Sequence, residues 1–145
     1  MLHIDNNKTN NTNNNTKGNA YVRELICKSS ARPSRLFKSF QLMTVNTLKL
    51  PAGSWAIFGK VAIWNSDGDP QNTAAYLYAT SGTAQLLLDK IDVRIPGGCS
   101  ESISLLGNPE VQKQDEIQIR CSTYNGGAAE SRLIAIQIDG KIVIR

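Results

Sequence analysis

From residue 41 onward, apolar and polar side chains alternate along the chain in short runs that are separated by turn-forming residues. A period of two is typical of β-strands that bury one face and expose the other. It predicts eight strands, at residues 41–50, 54–65, 73–81, 85–95, 99–106, 115–124, 132–138 and 141–145. Because no long helix lies between them, a parallel sheet with helical crossovers is excluded.

The number of predicted strands indicates how they are arranged. With 145 residues, of which 41% are hydrophobic, the chain is long enough for one domain with one core. Eight antiparallel strands in two packed sheets are typical of a jelly roll. An immunoglobulin-like sandwich matches less well, because it has seven or nine strands and a Cys…Trp…Cys order that is absent here. We therefore predict an all-β, eight-stranded antiparallel β-sandwich of jelly-roll type at residues 41–145.

The second predicted strand carries two tryptophans, Trp55 and Trp64, at positions of opposite parity. Since side chains alternate between the two faces of a strand, one should lie in the core and the other at the surface. The outer tryptophan, together with Phe58, Tyr76 or Tyr78, is a candidate aromatic patch at a subunit contact. The alternative is that Trp64 closes one end of the sandwich.

Glu101 lies on the same predicted strand face as Cys99, Ile103 and Leu105. A carboxylate on an apolar face is a candidate for a catalytic group or for a subunit interface or strand edge. With no partner group in view, the second interpretation is preferred, and Glu101 joins the candidate interface.

Two glycine-containing segments divide the last strands. The sequence Asn-Gly-Gly at 125–127 is expected to open a flexible loop. Asp-Gly at 139–140 is typical of a two-residue hairpin turn, which would lead into the closing strand at 141–145.

Residues 1–40 differ from the rest in composition and charge. They hold seven basic and two acidic side chains, a net charge of +5, whereas residues 41–145 hold nine basic and ten acidic side chains, a net charge of −1. Residues 6–19 are a low-complexity Asn/Thr-rich tract with nothing apolar to bury, so they are expected to be disordered alone. We predict an extended or disordered N-terminal arm at 1–40 that lies on an acidic partner; the alternative is a solubilising tail.

Within the arm, residues 20–40 carry apolar side chains that are interrupted by Pro33. One interpretation is an extended segment that lies on a neighbouring subunit; the other is an irregular lead-in that covers the sheet of its own chain. The residues predicted to bind a partner are the basic and anchoring apolar side chains of the arm: Lys8, Lys17, Arg23, Lys28, Arg32, Arg35, Leu36, Phe37, Lys38 and Phe40.

The sequence offers little for catalysis or ligand chemistry. The single histidine, His3, lies in the predicted N-terminal arm, so no histidine-based catalytic group sits on a rigid element. Asn65, Asp67 and Asp69 have the spacing of the first calcium-loop ligands, but Pro70 and Tyr76 stand where the loop needs glycine and glutamate. An EF-hand is therefore excluded, and the segment is interpreted as a polar turn, with a looser calcium site as the alternative. Phosphate-binding loops and membrane-spanning segments are also missing. We expect no enzyme, no cofactor, no metal and no membrane partner, and the near-neutral body argues against a specific nucleic-acid-binding domain.

The three cysteines, Cys27, Cys99 and Cys121, form neither a CxxC motif nor an even set. This argues against a disulfide framework and against a zinc site. We expect three free thiols, with Cys99 and Cys121 as small core residues. Residues 1–20 lack the apolar stretch of a signal peptide, so synthesis in a host cytoplasm is expected.

Residues 50–65, which read LPAGSWAIFGKVAIWN, and residues 133–138, which read LIAIQI, carry a resemblance to a known family. They resemble a strand and the closing strand of small TNF/C1q-like jelly-roll modules in phage and bacterial structural proteins. The resemblance covers about residues 41–145 and includes no catalytic or ligand motif. It implies a compact homotrimer, and in phage such modules serve as capsid decoration (cement) proteins or as parts of fibres and tails.

The leading functional hypothesis is therefore a virion structural protein, a phage capsid decoration protein whose arm staples neighbouring subunits of a major capsid protein. A second is a tail or fibre module that binds a receptor or carbohydrate through Trp64, Tyr76 and Tyr78. A third is a small viral coat protein whose basic arm contacts packaged RNA, for which a charge of +5 is low.

Overall fold

The computed structural model describes residues 21–30 and 34–139, and within them the chain is all-β. The ten strands are β1 (Tyr21–Ser30), β2 (Ser34–Lys38), β3 (Met43–Leu50), β4 (Gly53–Asn65), β5 (Gln71–Ser81), β6 (Ala84–Ile95), β7 (Ser100–Gly107), β8 (Glu110–Val111), β9 (Asp115–Thr123) and β10 (Asn125–Asp139). The described residues include no helix with the length and apolar character that a membrane crossing requires.

The strands form two antiparallel sheets that pack as a sandwich, as predicted. Sheet A has the order β1-β10-β4-β7, with β2 also paired to β10 and β8 also paired to β4. Sheet B has the order β3-β9-β5-β6. Apart from β5 and β6, the strands that pair along these two orders are not consecutive in sequence, so the chain crosses repeatedly between sheets in a jelly-roll-like manner.

The core lies between the sheets and is built by the predicted alternation. In β4, Trp55, Ile57, Val61 and Ile63 are buried, while the side chains between them face outward. The Trp55 indole stabilises the start of the strand as well, because its Nε1 donates to the Pro51 carbonyl at 3.0 Å. The inward side chains of sheet B that complete the core include Leu48, Leu77, Ile95, Ile117, Ile119 and Cys121.

The segment expected to be a flexible loop, residues 125–127, is instead the start of β10. Gly126 is paired with Phe37 of β2 on one side and Asn65 of β4 on the other. A Cβ at Gly126 would overlap the carbonyl oxygen of Trp64. The loop prediction was wrong because Gly126 permits a close approach between strands rather than a turn. The predicted strand at 141–145 lies outside the described residues.

The second half of the predicted arm is attached to sheet A of its own chain. β1 pairs with β10 from Tyr21–Asp139 to Ser30–Ser131, and β2 continues along the same edge of β10. The link to the body holds Ser39 and Phe40 at φ 57° and 59°, a left-handed conformation that costs about 1–3 kcal/mol for each non-glycine residue. Residues 1–20, including the low-complexity tract, lie outside the described part of the chain.

Candidate functional site

The outer face of sheet A carries a row of apolar side chains that crosses the whole sheet. Cys27 of β1 pairs with Ile134 of β10, Ile134 pairs with Phe58 of β4, and Phe58 pairs with Leu106 of β7. Because paired residues on neighbouring strands point to the same side, these four side chains lie next to one another. Leu106 is 58% exposed and Phe58 is 45% exposed.

A second row adjoins the first. Leu25 pairs with Ile136, and Ile136 pairs with Ala56; Leu25 is 40% exposed. We call these seven residues the apolar face: Leu25, Cys27, Ala56, Phe58, Leu106, Ile134 and Ile136. Neither row contains a charged residue, and the next row contains Lys60 and Arg132. In a sheet with one face in water, apolar side chains normally point inward and polar side chains point outward. Sheet A is apolar on both faces at these two rows, so its outer face has the character of an interaction surface.

Trp64 and Glu101 lie on sheet A but away from this face. Trp64 points outward as predicted, is half-buried, and its Nε1 donates to the Ser66 hydroxyl at 3.1 Å. Lys60 and Ala62 separate it from Phe58 along β4. Ile103 and Leu105 are buried, but Glu101 is exposed because β7 is an edge strand whose first three residues face solvent.

Tyr76 and Tyr78 lie on the outer face of sheet B, on the opposite side of the sandwich. Their rings stack with centroids 6.0 Å apart. The Arg120 guanidinium carbon lies 4.6 Å from the Tyr78 centroid, and the Lys90 Nζ lies 5.6 Å from the Tyr76 centroid. The structure therefore does not bring these tyrosines together with Phe58 and Trp64 in one patch, and the cations over the rings occupy aromatic surface that a sugar ring would need.

The arm residues chosen as partner-binding are only partly described. Lys8, Lys17 and Arg32 lie outside the described residues, whereas Arg23, Arg35, Leu36, Phe37 and Lys38 are described as strand positions only. Lys28 is exposed on β1. Phe40 is 53% exposed, and its ring lies 5.7 Å from that of Tyr124 at one end of the sandwich.

The side chains of Asn65 and Asp67 hold neighbouring loops in place through hydrogen bonds, rather than presenting free oxygens to a calcium ion. The buried Asn65 amide nitrogen donates to three carbonyl oxygens, those of Asp69, Ile95 and Pro96, at 2.8, 3.1 and 3.3 Å. The Asp67 N–H donates to the Asn65 Oδ1 at 2.9 Å.

The Asp67 carboxylate is also engaged by donors. It accepts hydrogen bonds from the side-chain amides of Gln71 and Asn125, each at 2.9 Å. In the described part of the chain, no three His, Cys, Asp or Glu side chains are grouped as a metal site. The carboxylate thus joins the loop after β4 to the start of β10.

The cysteines follow the sequence prediction in part. All three are free, and Cys121 is a fully buried core residue, as predicted. Cys99 is exposed, so its predicted core position was wrong; it precedes the exposed start of β7. Burial raises the pKa of the Cys121 thiol from 9.0 to about 12.

Thiol labelling should follow these environments. At pH 8 we expect a water-soluble disulfide reagent to modify Cys99 rapidly and Cys121 only after unfolding, because Cys121 is both inaccessible and protonated. Peptide mass mapping of the labelled chain measures the order. Equal rates for the two thiols would contradict their placement.

The raised pKa of Cys121 also predicts a pH dependence of stability. The unfolded thiol ionises near 9.0 and the folded one near 12, so its stabilisation is complete below pH 9 and is lost as pH rises between these values. We expect the difference in unfolding free energy between wild type and Cys121→Ala to shrink between pH 8 and about pH 10.5. Urea unfolding of both proteins at the two pH values measures it, and a constant difference would contradict the assignment.

Comparisons with known proteins support the fold class. No family model matches the chain, and no curated protein matches it. Among solved structures, the T13 viral particle of infectious bursal disease virus (IBDV) is similar over 80% of this chain and 32% of that chain, with 12% identity and a TM-score of 0.60.

Two further solved structures were matched. The VP2 subviral particle of the same virus covers 80% of this chain and 34% of its own, with 15% identity and a TM-score of 0.54. The TNF protein Eiger of S. frugiperda covers 83% of this chain and 90% of its own, with 10% identity and a TM-score of 0.49. The chain spans about a third of the length of the viral chains, and the likeness establishes a jelly-roll-like β-sandwich.

Proposed function

We propose that the chain is a non-catalytic virion structural protein: a capsid decoration protein of a phage that forms a homotrimer and uses its N-terminal arm to staple neighbouring subunits of a major capsid protein. The apolar face of sheet A carries the proposal, because an assembly protein needs such a surface and a monomer in water does not. The similarity of the sandwich to chains of viral particles supports it.

The occupant that we propose for the apolar face is a second copy of this chain. The two rows hold no charged or hydrogen-bonding side chain apart from the Cys27 thiol, so they suit a partner surface that is equally apolar. Around a three-fold axis the apolar faces of three copies can converge, so each copy meets the same apolar residues on its neighbours. Lys60 and Arg132 would then lie at the rim, where charges remain in contact with water.

The arm is the part that we assign to the capsid protein. Residues 1–40 carry a net charge of +5 against −1 for residues 41–145, and residues 1–20, which precede β1, hold Lys8 and Lys17 against Asp5. These charges favour an acidic surface, and such an attraction weakens as salt rises. A low-complexity segment that becomes ordered on a partner can cover a long path, which suits contacts to more than one subunit.

Binding of the full chain to empty shells of the major capsid protein tests the stapling role. We expect Lys8→Gln combined with Lys17→Gln to weaken binding about tenfold at low salt and to flatten its salt dependence. The matched control is Lys49→Gln with Lys113→Gln, which removes the same charge from exposed positions of the body and should leave binding unchanged. Equal affinity of the two double variants would contradict the role of the arm.

A second candidate is a small coat protein that builds a shell by itself. The specific observation that favours it is that the similar structures are described as viral or subviral particles. Electron microscopy of the chain purified alone distinguishes the candidates. The decoration proposal expects discrete trimers without nucleic acid, whereas closed shells that contain RNA would establish the coat-protein alternative.

A further inference from the structure

β1 and β2 lie along one edge of sheet A, and a single link joins them to the body of the sandwich. Within the described part of the chain, both strands pair with β10. Among the described side chains of β1, Ile26 packs against the core and is itself only partly buried. Because the two strands lie at an edge, they can leave β10 when the same strands of another copy take their place.

The link between β2 and the body is strained. Ser39 and Phe40 both have positive φ although neither is glycine. Two backbone hydrogen bonds hold this turn, from the Ser39 N–H to the Tyr124 carbonyl at 2.8 Å and from the Phe40 N–H to the Thr123 carbonyl at 3.1 Å. An extended link would relieve the strain, and it would direct β1 and β2 away from their own β10.

We propose that in the oligomer β1 and β2 are exchanged, so that they pair with β10 of a neighbouring copy. The proposal deepens the proposed function, on which it rests, because it requires copies that are held together. The exchanged strands would make the same pairing with β10 of a neighbouring copy as they make with β10 of their own chain. The two arrangements then differ in the strain of the link, which favours exchange once copies are close. Exchange leaves the composition of the apolar face unchanged, because β1 of the neighbouring copy occupies the place that the chain's own β1 leaves.

A cross-link between inward-facing partners tests the exchange. Ile26 and Ala135 are paired across β1 and β10, and both face the interior of the sandwich. In the full chain with Cys27→Ser and Cys99→Ser, Ile26→Cys with Ala135→Cys places two thiols opposite each other. Because they face inward, thiols of two copies meet only if β1 of one copy lies in the sheet of the other.

After mild oxidation, denaturing gels without reductant report the linkage. We expect most of the protein to migrate at two or three chain masses, and each single cysteine variant to remain at one. A link within one chain, or no link, overturns the exchange, while the proposed function is judged separately by mass in solution and shell binding. Glu24→Cys with Gln137→Cys, paired at half-buried positions, gives a second reporter if the first pair disturbs the core.

A separate variant tests the strained link at Ser39 and Phe40. Ser39→Gly with Phe40→Gly removes the cost of positive φ from the closed form, so the share of links between chains should fall several-fold. An unchanged share would overturn the inference that the strained link drives the exchange.

Discussion

Phe58→Asp should convert the proposed trimer into a monomer. Phe58 occupies the middle of the longer row of the apolar face, between Ile134 and Leu106. In a trimer, one carboxylate from each copy would be buried without a partner, and each such burial costs several kcal/mol. In the monomer the new carboxylate is exposed and lies near Lys60, so the fold is retained. Light scattering after size-exclusion chromatography should show one chain mass instead of three.

Leu87→Asp is the matched control for this variant. Leu87 is 46% exposed, almost the same as Phe58 at 45%, but it pairs with Tyr78 on the opposite sheet. We expect it to stay trimeric. The reactivity of Cys27, which lies on the apolar face, gives a second readout, since its labelling should accelerate in Phe58→Asp only. Dissociation of both variants alike would mean that the assembly does not use sheet A.

Asn65→Ala should lower the free energy of unfolding by about 3 kcal/mol. The buried amide nitrogen serves three carbonyl oxygens, and alanine leaves them without that donor. Asn65→Asp should destabilise at least as much, because it places a carboxylate against the same carbonyl oxygens. Urea unfolding at neutral pH measures both variants.

Asn72→Ala is the control, since Asn72 is an exposed asparagine one strand further along the chain. It should change stability by less than about 0.5 kcal/mol. An Asn65→Asp variant as stable as wild type, with a stability that rises on addition of calcium, would contradict the structural role and return the segment to the ion-binding interpretation.

The strands of the body could be predicted from the sequence because their alternation is local. β4 was placed to within one residue at its start, and parity alone put Trp55 and Trp64 on opposite faces, as the structure has them. β10 was predicted too short, because Gly126 resembles a turn until its neighbours on both sides are known. β1 was missed because its sequence, YVRELICKSS, does not alternate apolar and polar residues as the strands of the body do.

The candidate site was predictable only in fragments. Parity identifies which residues of one strand share a face, but it does not identify the sheet that the strand joins. Phe58 and Tyr78 could therefore be grouped from the sequence although they lie on opposite sides of the sandwich. The sequence of β10 held a signal that was missed. Ile134 and Ile136 point outward and alternate with the inward Leu133 and Ala135, so the strand is apolar on both faces, which indicates an apolar outer face of its sheet.

The central claim is that the apolar face of sheet A joins copies of this chain. Sedimentation velocity of the unmodified full chain over a range of micromolar concentrations tests it most directly. We expect a single species of three chain masses that persists on dilution. A single chain mass at every concentration would show that nothing of its own kind covers this face, and the proposed assembly would be wrong.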